Sequence, residues 1–272
     1  MCLPSKVTNT TPPETPRSFC ILGIAVHAVQ IPDVVAQIQS WIRNDAKGCY
    51  IAVTGMHGIA ESRSDNDFRT ALSSADLVVP DGMPLVWLGR WHRHPLKRRV
   101  YGPELMETFC RETGSKYRHF FYGGAEGTAE ALAESLRQRF AISVAGTYCP
   151  PFRKLTDEEL QDVGRRVEES SANVLWVGLS TPKQEKWMYE NRKKISVAVM
   201  LGVGAAFDIQ SGKTSQAPIW MRENGLEWLY RLVTEPRRLW KRYLVTIPTA
   251  VGLVLLELLG LLPQSRKQVL ST

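Results

Sequence analysis

VLWVGLSTPKQEKWMYENRKKISVAVMLGVG, residues 174–204, decides the fold class. Val174–Gly178 and Val197–Gly202 are short apolar runs, apolar on both faces, and read as strands covered on both sides. Between them, Lys183–Lys194 reads as a helix. Ser180 or Thr181 is expected to cap it, and Pro182 stands where helices begin. Strand, helix and strand in this order form a βαβ unit, the crossover that parallel strands require.

The same alternation runs outward from this segment. Further strands are expected at Phe19–Ile24, Tyr50–Thr54, Leu77–Pro80, His119–Tyr122 and Ile142–Thr147. Further helices are expected at Val34–Asn44, Ile59–Ser73, Pro84–Gly89, Pro103–Thr113, Thr128–Phe140 and Asp157–Ser170. The expectation is an α/β domain over residues 18–215: a doubly wound, mostly parallel, Rossmann-like sheet. Residues 1–17, rich in Thr, Pro and Ser, read as a flexible leader with no signal-peptide pattern.

Beyond Gly204 the pattern changes. Pro218–Val233 and Pro236–Tyr243 read as helices with no strand after them, a helical basic appendage over 216–243. Leu244–Leu262, LVTIPTAVGLVLLELLGLL, is nearly all apolar, and residues 244–272 are expected to form a membrane-associating tail. Pro248 and Glu257 interrupt it, and a carboxylate in hydrocarbon is costly. A helix lying in or dipping into a membrane is therefore preferred to a span. A core helix, or one buried between copies of the chain, is the alternative.

Composition bounds the function classes. The chain has 272 residues, 44% hydrophobic and 22% charged, which excludes wholesale disorder. The net charge of +7 suits an acidic partner without choosing one. One basic cluster is Arg90, Arg93, Lys97, Arg98 and Arg99, equally readable as a solvated face. Another, Arg231, Arg237, Arg238, Lys241 and Arg242, is interleaved with Trp228, Tyr230, Trp240 and Tyr243, as at a membrane interface. No RNA-binding signature accompanies these charges, so no nucleic-acid partner is expected. The five cysteines have no metal or disulfide spacing and read as reduced, cytosolic thiols.

In open α/β sheets, ligands bind beyond the carboxyl ends of the strands. After the second expected strand, Thr54-Gly55-Met56-His57-Gly58 offers close backbone approach and two polar tips, or simply a turn with a surface histidine. After the third, Pro80-Asp81-Gly82-Met83-Pro84 fixes the position of Asp81, which suits a helix N-cap and a general base, roles that compete for the same oxygens without excluding each other. Arg99 can neutralise a phosphate. Gly123 and Gly124 precede a helix whose amides can hold an anion. Lys183 and Gln184 are expected at one rim, Gln184 for a uracil edge or a sugar hydroxyl. Gly204 permits close approach, and Asp208 is a second candidate carboxylate. No metalloprotease, P-loop, nucleophile-elbow or DxD motif is present, so neither metal nor cofactor is expected. A leaving diphosphate would then be stabilised by cations, for which Arg231, Arg238 and Lys241 are candidates.

Six segments together resemble the WecG/TagA/CpsF glycosyltransferase family, glycosyltransferase family 26: VVPDGMPLVW, RVYGPELM, FFYGGAEG, VGLSTPKQEKW, GVGAAFDIQSGK and APIWMRENGLEWLYRLVTEPRRLWKRY. The resemblance runs from about Phe19 to Tyr243. It implies inverting, metal-independent transfer of a hexose or N-acetylhexosamine from a UDP-sugar to a saccharide on a polyprenyl diphosphate. It implies Asp81 as general base, Gln184 against a sugar, Arg99 near the cleft, and Arg231 and Arg238 on the diphosphate. It also implies an appendage docked on the cytoplasmic face of the membrane. Two departures leave the donor sugar open. Thr54-Gly55-Met56-His57 lacks the Asn that many members carry in Thr-x-Asn, and Gln216-Ala217-Pro218 replaces Arg-Ala-Pro. A non-catalytic nucleotide-binding membrane adaptor is the alternative function, and the oligomeric state is open.

Overall fold

The computed structural model describes residues 16–241, 244, 246–259 and 261. Nearly all of the expected leader, and the segment after residue 261, fall outside these residues.

The chain opens with a surprise. The single strand expected at Phe19–Ile24 is a hairpin, β1 (Ser18–Ile21) and β2 (Ile24–His27), paired antiparallel and apart from the main sheet. Leu22 and Gly23 make the turn with φ of 49° and 82°, the left-handed pair that a two-residue hairpin turn needs. Leucine is a poor signal for such a position, so the turn was hidden inside an apolar run.

After α1 (Ile31–Arg43) and β3 (Cys49–Thr54), the helix expected at Ile59–Ser73 is two: α2 (Met56–Glu61) and α3 (Asn66–Ser73). The break is chemical. The Asp65 carboxylate accepts the Phe68 amide at 3.0 Å, capping a new helix, and also takes Lys186 Nζ at 2.6 Å. Next come β4 (Leu77–Pro80), α4 (Met83–Trp91) and α5 (Gly102–Thr113), then β5 (Arg118–Gly123), α6 (Thr128–Phe140) and β6 (Ser143–Tyr148). The α/β unit continues through α7 (Asp157–Glu169), β7 (Val174–Gly178), α8 (Lys183–Asn191), β8 (Val199–Gly202) and α9 (Ala206–Gln210). The appendage follows as α10 (Ile219–Glu223), α11 (Glu227–Thr234), α12 (Pro236–Lys241) and α13 (Ile247–Leu258).

Six strands form an all-parallel sheet in the order β4-β3-β8-β7-β5-β6. Its central strands are covered on both faces. Ile51, Trp176 and Leu201 join the cluster that includes Phe109 and Leu132. Tyr50, Leu175 and Met200 join the one that includes Val163 and Met188. The chain steps outward from β3 to β4, then resumes beyond β8 and β7 at β5. This reversal opens a cleft at the carboxyl ends of β3 and β8.

The apolar tail folds back onto this body. Ala250 and Val254, one turn apart on α13, are buried in one cluster with Met56, Ile59 and Phe19. The Glu257 carboxylate accepts the Leu22 amide of the hairpin turn at 2.9 and 3.1 Å. The acidic residue that sits badly in hydrocarbon thus has a partner within the protein. The opposite face, with Val251, Leu255 and Leu259, is exposed. Among the described residues no helix is long and apolar enough to cross a membrane.

Candidate active site

Asp81 leaves β4 beside the end of β3, its amide donating to the Thr54 carbonyl at 2.9 Å. Of its two expected roles, capping is not the one adopted. Gly82 is the N-cap of α4, at φ 126°, and no side chain caps that helix. Gly55 is needed where it stands, because a Cβ there would lie 2.8 Å from the Asp81 carbonyl oxygen and 3.2 Å from His57 Nδ1. Gly55 is also the N-cap of α2, so His57 lies in the first turn of a helix rather than in a loop.

Asp81 and His57 line one open cleft with Tyr101, Gln184, Gly204 and Arg231. Residues after four strands, β3, β4, β7 and β8, and one appendage helix therefore converge on one place.

Arg99 ties the two parts together. Its Nη1 lies 4.0 Å from Asp81 Oδ1, and its Nη2 donates to the Glu227 carboxylate of α11. The guanidinium also stacks 4.1 Å above the Tyr101 ring. Burial disfavours the charged guanidinium, but the carboxylates of Asp81 and Glu227 outweigh it and raise the Arg99 pKa. Burial, with the Glu227 carboxylate next, pushes the Tyr101 hydroxyl up, so it remains a neutral hydrogen-bonding group. Glu227 escaped the sequence reading. A lone glutamate in an amphipathic helix looks solvent-facing, yet this one is buried.

The β7 exit differs from expectation. Pro182 itself is the N-cap of α8, and the Thr181 hydroxyl donates instead to Glu185 Oε1 at 2.9 Å. Gln184 Nε2 donates to the same oxygen at 3.1 Å. Lys183 is exposed while Gln184 is 2% exposed, so the two do not share a rim. Glu185, also missed, is fully enclosed, and burial pushes its carboxyl up to about 7. By holding Nε2, Glu185 leaves Gln184 Oε1 as a buried acceptor without a partner among the described residues, on the side of Gly204. Thr54 Oγ1 and Glu185 Oε2 are buried and unpartnered in the same way.

Other candidates lie elsewhere. Gly123 and Gly124 end β5, and the Gly124 amide donates to the Gly178 carbonyl at 3.0 Å. A Cβ on Gly123 would fall 2.6 Å from Gly178 backbone, so close strand packing accounts for this glycine. Asp208 lines an adjoining hollow with Tyr101, Glu227 and Arg231. Arg231 borders both spaces. The backbones of Arg238 and Lys241 belong to α12, but their side chains lie outside the described residues. Among the described residues, no three of His, Cys, Asp or Glu converge as a set of metal ligands.

This geometry agrees with sequence relationships that span almost the whole chain. Residues 19–264 match the family described as Glycosyl transferase WecG/TagA/CpsF. A Bacillus spizizenii protein named N-acetylglucosaminyldiphosphoundecaprenol N-acetyl-beta-D-mannosaminyltransferase is 29% identical over 228 residues, 83% of this chain and 86% of its own length. A Bacillus subtilis protein of the same name is 30% identical over 198 residues, covering 71% and 73%. One from Staphylococcus aureus is 26% identical over 224 residues, covering 82% and 85%. The chain belongs to the WecG/TagA/CpsF family and is a glycosyltransferase.

Proposed function

We propose that this glycosyltransferase moves a hexose or N-acetylhexosamine from a UDP-sugar to a saccharide carried on a polyprenyl diphosphate, in exopolysaccharide, capsule or cell-wall polymer synthesis. The observation that carries the reading is the Asp81 carboxylate, at a strand exit in the switch-point cleft, with Arg99 at 4.0 Å and Arg231 on the same wall. The relatives' names supply the class of acceptor.

In this reading, Asp81 takes the proton of an acceptor hydroxyl as its oxygen attacks the anomeric carbon. The bond to the diphosphate oxygen breaks on the opposite face, and its electron pair leaves with UDP, which gives inversion. Arg231 stabilises the charge that develops on the diphosphate, so no metal is required. Gln184 Oε1 and His57 hold the sugar. Gln184 presents an acceptor, suited to a hydroxyl or an acetamido N–H. Exposed apolar surface supports the proposed location. The outer face of α13, together with exposed Trp220, Trp228 and Trp240, fits peripheral attachment at the cytoplasmic face of the cell membrane.

The test is incubation of the full chain with labelled UDP-sugars and a polyprenyl-diphosphate sugar, with and without excess EDTA. A product of inverted anomeric configuration is expected in both. Donor binding without transfer would favour the adaptor alternative. Activity lost in EDTA and restored by a divalent ion would overturn the cation-only account.

A further inference from the structure

A second, larger groove lies beside the Asp81 cleft. Its cationic wall comes from three places: Lys97, Arg98 and Arg99 in the linker after α4, Arg111 on α5, and Arg222 on α10. Against these five cations its lining holds two carboxylates, Glu104 and Glu107. Those pairings are loose. Arg98 is 3.6 Å from Glu104 with its side chain 63% exposed, and Arg111 is 3.7 Å from Glu107 with 56% exposed. Glu107 is shared with Arg139 at 3.0 Å. Exposed pairs of this kind hold their partners weakly and are readily exchanged for a better anion. Arg222 Nε is buried with no acceptor among the described residues. With Arg99 already held by Glu227 and Asp81, the other four cations still outnumber the two carboxylates of the lining, the complement of a phosphate-rich ligand.

The position of the groove selects which phosphate. Arg99 belongs to its wall and also stands 4.0 Å from Asp81, so one end of the groove reaches the base. Its rim is apolar. Ile219 lines it, and Trp220 beside it is 60% exposed. The turn between α10 and α11 rests on α4, where a Cβ on Gly225 would lie 3.3 Å from Met83 Cγ and 3.8 Å from Trp87. Trp87 and Trp91 on α4 are themselves exposed, Trp91 at 72%. From Met83 to Val100 the chain carries no acidic residue.

We infer that this groove binds the diphosphate of the lipid-linked acceptor, with Arg222, Arg111 and Lys97 on its phosphates and the tryptophan rim along the first isoprene units. The inference rests on the transfer reading above and deepens it by assigning the acceptor a site separate from the donor's. The acceptor sugar then spans from the phosphates to Asp81, across Arg99. A UDP-sugar has the diphosphate but no hydrocarbon, so the rim favours the lipid-borne ligand.

Calorimetric titration tests this with four probes: a water-soluble short-chain prenyl diphosphate sugar, its prenyl monophosphate counterpart, inorganic pyrophosphate, and UDP. The full chain should prefer the prenyl diphosphate sugar to both the monophosphate and the pyrophosphate. Arg222→Gln should weaken it on the order of tenfold or more and leave UDP unchanged. Arg111→Gln, at an exposed position that tolerates substitution, should act in the same direction and so guards against misfolding of the first variant. In transfer assays the acceptor KM should rise while the donor KM stays constant. Equal losses for UDP and lipid would make the groove part of the donor site, and pyrophosphate binding as tightly as the prenyl ligand would reduce it to a general anion site. Unchanged lipid binding in both variants would also overturn the assignment. A wild-type chain that binds the prenyl diphosphate in this way but transfers nothing would defeat the transfer reading and leave the groove standing.

Discussion

Two polar clusters lie at opposite ends of the same sheet. At the amino ends of β3 and β4, Arg192 donates to the Gly48 carbonyl, the Ser74 carbonyl and the Asp76 carboxylate at 2.7–2.9 Å. Asp76 also accepts the Tyr50 amide at 2.9 Å, and the guanidinium covers the Tyr50 ring. At the carboxyl ends, Thr54 Oγ1, Gln184 Oε1 and Glu185 Oε2 are more deeply buried and lack partners among the described residues. Sheltered polar groups without partners cost stability, and a fold keeps them together where something else supplies the hydrogen bonds. Away from the cleft, His119 Nε2, the Tyr117 hydroxyl and Asn191 Oδ1 are also unpartnered among the described residues, singly, and His119 sits inside an aromatic stack with Phe121 and Trp176. The contrast is between an end built to hold the strands and an end built to receive a ligand.

The largest expected effect is at the receiving end. Asp81→Asn keeps the shape and removes the proposed base, so turnover should fall about 10²–10⁴-fold while UDP still binds. Steady-state kinetics with a parallel binding titration check this, and near-normal turnover would remove Asp81 from the role. The holding end should behave oppositely. Arg192→Ala strips three acceptors of their donor and should lower unfolding free energy by about 3–4 kcal/mol, read from the denaturant midpoint. Folded enzyme at low temperature should retain its turnover. A loss of activity without loss of stability would erase the distinction between the two ends.

The smallest effect sharpens the contrast through pH. Glu185 has its carboxyl moved from the ordinary 4.5 to about 7, by burial first and with the Glu61 carboxylate adding to it. Below about pH 4.5 both folded and unfolded chains hold this proton, and Glu185 is neutral to stability. Between there and about 7 only the unfolded chain ionises, so stability falls as pH rises, by roughly 3 kcal/mol in total, and stays lost above. Glu185→Gln cannot ionise. Its stability relative to the parent should therefore improve progressively from pH 4.5 to 8 in denaturant titrations. A difference independent of pH would show that Glu185 does not titrate in this window.

The sheet was legible in the sequence because strands covered on both faces must be apolar throughout, as Val174–Val177 and Val199–Leu201 are. Asp81 was legible because flanking prolines and a glycine fix a strand exit. Less visible features depend on partners distant in sequence. Arg99 and Glu227 are 128 residues apart, and neither residue type hints at the other. Glu185 reads like any first-turn glutamate until α8 is seen to turn it inward. The break before α3 rests on Asp65, whose neighbours are as polar as those of a continuing surface helix. The tail's hydropathy, interrupted at Pro248 and Glu257, left a membrane-lying helix and a core helix both open, and it could not show which side packs on α2.

That packing also sets a timetable for the nascent chain. The Leu22 amide and the Glu257 carboxylate that accepts it are 235 residues apart. At a synthesis rate of about 5–20 residues per second, the hairpin emerges roughly 12–47 s before the helix that covers it. Throughout that interval the apolar surface shared by the hairpin and α2 lacks Ala250 and Val254. Among the described residues the first element is thus completed by the last, and the ribosome's pace determines how long that surface stays open to other proteins.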